Sequence, residues 1–238
     1  MLIKKSNNYK LVYIGDINSI NLEIIEKAHN ELFLNKIRYI LIGNLNEANK
    51  YFKKIKTNKK ITEIFDLNSL RDIEKYAINF FDIGNELYEK PLNIINQINI
   101  SNNLAKLNNA DLITMPINKS IIKKKYLFNG MTEHLGMINN KKTYMLMKGD
   151  QFSIIPLTTH IKFKDILKNI KIKKVHIDIE KIIKIIEYKN IKFNKIIILS
   201  INPHAGENGT LGNEELIINK TIKKFKKNNK IKIIGPLA

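Results

Sequence analysis

Short unbroken apolar runs alternate along this chain with longer stretches in which apolar residues recur at helical spacing. Lys10 to Ile14 reads as a strand closed by Gly15-Asp16, followed by a helix from Ser19 to Leu32. Arg38 to Ile42 repeats the strand pattern, Leu45 to Ile55 the helical one, and Ile61 to Phe65 is a further short strand. This rhythm predicts a mostly parallel sheet covered on both faces. Asp66 to Lys90 has no clear period and receives no assignment. After Pro91 the spacing predicts a helix from Leu92 to Leu107, then a buried strand from Asp111 to Met115. That strand runs into the polar loop Thr114-Met115-Pro116-Ile117-Asn118-Lys119, ahead of a helix starting near Ser120.

The second half departs from the rhythm once. Lys142 to Met147 and Phe152 to Leu157 are strand-like and joined by Lys148-Gly149-Asp150-Gln151, which predicts a hairpin. Helices are predicted over Lys164 to Ile170 and Ile179 to Tyr188. The continuous apolar run Ile196 to Leu199 predicts a buried strand, Glu214 to Lys227 a helix, and Ile231 to Ile234 a short strand ending in the turn Gly235-Pro236-Leu237-Ala238.

Composition sets limits on this picture. A chain of 238 residues, 44% hydrophobic, is long enough to bury a full core as one or two α/β domains. The absence of cysteine excludes disulfides, thiolate metal sites and cysteine nucleophiles. No apolar run reaches membrane-spanning length and no signal core follows Lys4 and Lys5, so a soluble cytoplasmic protein is the expectation. The formal charge of +19 raises nucleic-acid binding. Arg38 and Arg71 are the only arginines, however, beside many lysines, isoleucines and asparagines, a pattern expected of A/T-rich coding. Without arginine forks or a basic patch interleaved with aromatics, neither a nucleic-acid nor a membrane partner is expected.

Candidate chemistry lies where strands end. In parallel α/β sheets the loops leaving the carboxyl ends of strands are where ligands gather. His204 lies in the loop from Ile201 to Glu215, which holds three of the ten glycines. His160 closes Thr158-Thr159-His160 after another strand. Neutral imidazoles so placed suit a shared divalent cation, or each hydrogen-bonds its own loop; spacing leaves both open. Two donors fall short of the three that a catalytic metal usually takes. His29 and His176 lie in segments directed elsewhere. Glu207, Glu214 and Glu215 read as acids or supporting groups, or for the last two as acidic residues placed for a helix dipole. Asn118 and Lys119 sit at a helix start, where amides and an ammonium suit a phosphate. No Walker motif, nucleophile elbow or intact GxGxxG occurs, and no catalytic or cofactor-binding residue is assigned.

Four motifs together resemble the 4-hydroxythreonine-4-phosphate dehydrogenase family of vitamin B6 biosynthesis. They are Asp111 to Lys119, Gly130-Met131-Thr132-Glu133, Thr158-Thr159-His160-Ile161, and Asn202-Pro203-His204-Ala205-Gly206-Glu207-Asn208-Gly209 with Gly212 and Glu214-Glu215. The closing Gly235-Pro236-Leu237 extends the match, which is specific from about residue 110 onward and weaker before it. The resemblance implies a two-domain α/β/α subunit of the isocitrate/isopropylmalate dehydrogenase type, divided here at 1–125 and 126–238. It implies a homodimer with active sites at the subunit interface, NAD or NADP as cofactor, and a divalent metal such as Zn, Mg or Co. The implied reaction oxidises 4-phosphooxy-L-threonine, and loss of carbon dioxide then gives 3-amino-2-oxopropyl phosphate. By motif, His160 and His204 match two of three metal-binding histidines, and Thr132 matches a substrate contact.

The chain also departs from the family. The pattern GDPAGIGPE is here Gly15-Asp16-Ile17-Asn18-Ser19-Ile20-Asn21-Leu22-Glu23, without its later glycines and its prolines. In place of GHTE stands Gly130-Met131-Thr132-Glu133, so a substrate-binding histidine is replaced by Met131. His134 is the available substitute but stands three residues on and is expected to point elsewhere. Family members continue past the Gly-Pro-Leu turn into a segment bearing the third metal histidine, so the resemblance implies a C-terminally truncated chain. Two alternatives follow: a catalytically inactive remnant of the fold, and a related dehydrogenase of another phosphorylated hydroxy acid.

Overall fold

The computed structural model describes residues 9–67, 73–74, 76–84, 89–123, 126, 128–189, 191–226 and 232–238. Contacts divide the chain into two compact units, Met1–Lys141 and Lys142–Ala238. No helix among the described residues is long and apolar enough to cross a membrane.

The first unit carries β1 (Lys10–Tyr13), α1 (Asn21–Leu34), β2 (Tyr39–Gly43), α2 (Leu45–Lys54), β3 (Ile61–Glu63), β4 (Ile78–Asp82), α3 (Lys90–Leu107), β5 (Asp111–Thr114), α4 (Lys119–Lys123) and α5 (Met131–Ile138). Its strands form one sheet in the order β3-β4-β2-β1-β5, and every pair is parallel. Successive side chains of a strand face opposite ways. Val12, Leu41 and Phe80 accordingly pack on Leu22 and Ile25 of α1 and Phe52 of α2, while Leu11, Ile40 and Ile42 pack with Ala105 of α3. Both faces are thus covered, as the alternation predicted. Each fully buried side chain of this size contributes about 1.5–3 kcal/mol.

Two strands differ from expectation. β4 lies within the unassigned stretch yet pairs with both β2 and β3. Asn79 breaks its apolar run in the sequence, but that buried amide is satisfied locally: its Oδ1 accepts from the Glu74 N–H at 2.9 Å and its Nδ2 donates to the Glu74 carbonyl at 3.0 Å. β5, expected to be buried, is an edge strand of this sheet, with Asp111 exposed and Ile113 45% exposed.

Contacts divide the chain after α5, between Lys141 and Lys142, and residue 125, where the sequence sets its boundary, lies outside the described residues. α5 belongs with the first unit because Met131 and Leu135 pack against the cluster of Tyr13, Ile94 and Ile98, and Asn139 exchanges amide hydrogen bonds with Asn102 of α3.

The second unit opens with the antiparallel pair β6 (Met147–Lys148) and β7 (Ser153–Ile154), closed by the Gly149 N–H on the Phe152 carbonyl at 3.0 Å; the hairpin lies where predicted, but the strands expected over Lys142 to Met147 and Phe152 to Leu157 are two residues each. A 3₁₀ turn over Phe163–Asp165 leads into α6 (Ile166–Asn169), and α7 (Ile172–Tyr188) starts earlier than its predicted Ile179. β8 (Lys195–Leu199), α8 (Glu215–Lys226) and β9 (Lys232–Leu237) follow. Lys227 and Ile231, the predicted end of α8 and start of β9, lie outside the described residues. β8 and β9 pair in parallel, and Val175, Ile179 and Ile183 of α7 with Ile218, Ile222 and Phe225 of α8 cover Ile198 and Ile233. The expectation that β8 is wholly buried fails on its other face, where Ile197 is 42% and Leu199 64% exposed. The turn expected at Gly235-Pro236 instead lies within β9. A cis peptide joins the two residues, and Gly235, at φ 135°, lets the chain pass close to the Ile198 carbonyl.

Candidate functional site

At the carboxyl edge of the five-stranded sheet, the loops leaving β1 and β5 are tied together. Gly15 takes φ 71°, and a side chain there would press on Asn21 Nδ2 at 2.7 Å and the Met115 carbonyl at 2.8 Å. The Asp16 N–H donates to the Pro116 carbonyl at 3.0 Å. Asn21, buried at the start of α1, donates through Nδ2 to the Ile14 carbonyl at 2.9 Å and the Pro116 carbonyl at 2.8 Å. Ser19 and Asn21 stand where the resembled pattern has glycines, and the Asn21 amide here buckles one strand-end loop to the other. In the sequence Asn21 falls inside the helix predicted from Ser19, so this role carried no signal.

The polar residues of the β5 loop follow from that anchorage. Asn118 Oδ1 accepts from the Ser120 N–H at 3.1 Å and the Ser120 hydroxyl at 2.6 Å, so any contact with a ligand falls to its amide nitrogen. Lys119 is exposed beside it. Thr132 stands half-buried in the first turn of α5. Met131 packs on the cluster of Tyr13, Ile94, Ile98, Ile122 and Phe128. His134 is buried, with Nε2 2.8 Å from Asn99 Oδ1 and its ring 5.2 Å from that of Phe128, and burial lowers its pKa. It is a core histidine and does not replace the one missing at Met131. His29 is likewise enclosed: Nδ1 lies 2.7 Å from the Tyr39 hydroxyl, and burial again lowers its pKa.

The second unit handles its strand-end loop differently. After β8 the chain enters a 3₁₀ turn over Pro203–Gly209 in which His204, Ala205, Gly206, Glu207 and Asn208 all have positive φ, between 44° and 74°. Left-handed backbone costs a non-glycine residue about 1–2 kcal/mol, so the surroundings must enforce it. Two carboxylates do so. Glu215 Oε1 accepts from the Ile201 N–H at 3.0 Å and the Asn202 N–H at 2.6 Å. Asn202 Nδ2 donates to Glu215 Oε2 at 3.0 Å and to Glu214 Oε2 at 2.8 Å. A side chain at Gly206 would meet Glu215 Oε2 at 2.7 Å, and one at Gly212 would strike Glu214 Oε2. Glu215 is buried, which favours its neutral form, yet the Asn202 and Ile201 donors outweigh that and leave its pKa lowered. Glu214 and Glu215 stand at the start of α8, where a helix-dipole role was one expectation; their carboxylates reach back to hold the loop.

His204 is exposed on this turn, and His160 is exposed with φ 52°. Leu157, just before the His160 turn, and Ile201, just before the His204 turn, pack on the same core of α7, α8 and β8. Imidazole nitrogens are suitable donors for a borderline divalent cation. Among the described residues, no three His, Asp or Glu side chains come together to hold a metal. His176 instead lies against Phe225, ring centroids 4.4 Å apart. One further cluster gave no sign in the sequence: Asp178, buried on α7, accepts from Lys142 and, at 2.9 Å, from the Tyr144 hydroxyl, whose pKa burial and this hydrogen bond raise. It fastens the segment leading into the hairpin.

Comparison with known proteins agrees with these motifs. The family model described as pyridoxal phosphate biosynthetic protein PdxA matches residues 13–238. The chain is similar to a 4-hydroxythreonine-4-phosphate dehydrogenase of Sulfurihydrogenibium sp. (strain YO3AOP1), 29% identical over 95% of this chain and 73% of that protein. A protein of the same name from Sulfurimonas denitrificans is 31% identical over 95% of this chain and 71% of its own length. In fold, the chain is similar to the crystal structure of the Klebsiella pneumoniae 4-hydroxythreonine-4-phosphate dehydrogenase, with TM-score 0.78 and 20% identity over 97% of this chain and 75% of that one.

Proposed function

Because the chain belongs to the family of the pyridoxal phosphate biosynthetic protein PdxA, we propose that it oxidises 4-phosphooxy-L-threonine with NAD or NADP and releases carbon dioxide to give 3-amino-2-oxopropyl phosphate. It is an oxidoreductase acting on a CH–OH group, as its relatives are. The observation that carries the finer reading is the pair of exposed histidines, His160 and His204, each on a left-handed turn of the second unit.

In this reading His160 and His204 hold a divalent cation (Zn²⁺, Mg²⁺ or Co²⁺), with further ligands from outside the described residues. When bound, such an ion supplies positive charge that lowers the pKa of the alcohol and offsets the negative charge that develops on oxygen as carbon dioxide departs. A nicotinamide cofactor, when bound, would supply the acceptor for the carbinol hydrogen as hydride, and the hydroxyl proton would pass to solvent. The C–C bond to the carboxylate then breaks, and the carbon left behind takes up a proton. Thr132 contacts the substrate in this scheme, while the Asn118 amide nitrogen and the Lys119 ammonium suit its phosphate. The same reading makes the subunit one of the isocitrate/isopropylmalate dehydrogenase type, acting in the cytoplasm as a homodimer with active sites at the interface.

Met131 supports a second reading. A thioether packed into the core offers no strong hydrogen bond where the family pattern has histidine. That departure fits a catalytically inactive relative, or one turned to another phosphorylated hydroxy acid. An assay of NAD(P)H formation and carbon dioxide release with 4-phosphooxy-L-threonine and added Zn²⁺, Mg²⁺ or Co²⁺ separates these. Equal yields of reduced cofactor and carbon dioxide are expected. No turnover with this substrate rejects the first reading, and turnover of a different phosphorylated hydroxy acid supports the related dehydrogenase.

A further inference from the structure

We infer that Glu215 is the positioning residue for His204, an inference that rests on the reading of His204 as a metal ligand. Its carboxylate holds the chain just before that histidine by hydrogen bonds and lies close against it just after. Before it, Oε1 accepts the N–H groups of Ile201 and Asn202 at 3.0 and 2.6 Å. After it, Gly206 passes so close to Oε2 that a methyl group there would lie 2.7 Å away. Oε2 also receives the Asn202 side-chain amide at 3.0 Å, which joins Glu214 to the same grip. Between these fixed points stand Pro203, His204 and Ala205.

The physical need is plain. His204 and Ala205 carry φ 50° and 53°, values that L-residues avoid, and a free loop would relax from them. His204 itself is exposed, so packing of its own ring does not hold it. What keeps its backbone in place is the buried carboxylate beneath, fixed in turn because Glu215 opens α8, whose Ile218, Ile222 and Phe225 are core residues. A metal ligand held in one presentation binds without first being ordered, and groups that orient ligands in this way typically carry a 10–100-fold effect on metal affinity. Glu207, which the sequence also offered as an acid, is exposed on the turn and is not part of the grip.

The test uses Co²⁺ binding followed by absorbance, together with hydrogen exchange of the Ile201 and Asn202 amides in metal-free protein. The variants are Glu215→Ala, Glu215→Gln, Gly206→Ala and His204→Ala. Glu215→Ala is expected to weaken Co²⁺ binding by about 10-fold and to accelerate exchange at Ile201 and Asn202, while core amides of α7 and α8 keep their protection. Glu215→Gln, which retains an acceptor for the two backbone donors, should recover most of the affinity. Gly206→Ala leaves α8 intact and should reproduce the loss, which keeps the test decisive if Glu215→Ala does not fold. Wild-type Co²⁺ affinity in Glu215→Ala or Gly206→Ala, with binding lost in His204→Ala, overturns the positioning role alone. Unchanged binding in His204→Ala overturns the metal reading beneath it. Loss of protection spread through the α7 and α8 core in step with the loss of affinity assigns Glu215 a purely structural role and likewise overturns the inference.

Discussion

The two units treat their strand-end loops in opposite ways. In the first, several polar groups of the strand-end loops are absorbed into the fold: Asn21 ties the β1 and β5 loops and Asp82 Oδ1 accepts from the Leu45 and Gly84 N–H groups at 2.9 and 3.1 Å, while His134 on α5 is buried against Asn99 and Lys119 of the β5 loop stays exposed. In the second, the Glu215 carboxylate holds the backbone before His204, and the imidazoles of His204 and His160 are exposed. The difference teaches where to look for function. A side chain buried in the fold's own hydrogen bonds is spent, whereas backbone held in an unfavourable conformation, as at His204, presents an exposed side chain in one place.

The contrast should appear first in stability. Phe80→Ala, fully buried on β4 of the five-stranded sheet, is expected to cost about 3–5 kcal/mol in urea unfolding. Ile198→Ala in the half-covered β8 should cost clearly less, and equal losses would erase the distinction between the two sheets. Asn21→Ala strips the Ile14 and Pro116 carbonyls of their side-chain donor and should cost about 1–3 kcal/mol. If stability is unchanged, the tie between the two loops is not a support. Ala205→Gly, by contrast, should stabilise the protein by about 1 kcal/mol, because glycine accepts positive φ freely; destabilisation would mean that the left-handed turn is not under strain.

Acid should reach the first unit through its buried histidines. His29 and His134 have pKa values lowered in the fold by burial, so the unfolded chain binds more protons once pH drops below the ordinary value of 6.5. Their contribution is fully present above that pH and is lost as pH falls toward the folded values. A melting temperature that declines below pH 6.5 in wild type, and less steeply in His134→Gln, is the expected result. The smallest effect belongs to Phe163→Ser in the second unit: Phe163 is 90% exposed, and its loss should stay within about 0.5 kcal/mol.

Much of this was legible from the chain. The alternation of apolar runs and helical periods located β1, β2, α1, α2 and α3 to within a few residues, because those elements are buried on the faces that the pattern marks. β4 escaped because Asn79 interrupts its apolar run, and only the folded chain shows its amide paired with Glu74 and the Ala77 carbonyl. The exposure of Ile113, Ile197 and Leu199 escaped for a different reason: an apolar run records that a strand suits burial, while the number of neighbouring strands and helices decides how much of it is covered. The glycines from Gly206 to Gly212 marked a special loop, but nothing in the sequence distinguished Glu215 as its clamp from Glu215 as a charge placed for a helix dipole.

The central claim is that His160 and His204 bind metal while His29, His134 and His176 serve the fold. Following the imidazole signals of all five histidines by NMR during a Zn²⁺ titration tests it most directly. The account predicts that His160 and His204 shift together while His29 and His134 stay fixed. Movement of His29 or His134, or no response from His160 and His204, would contradict it.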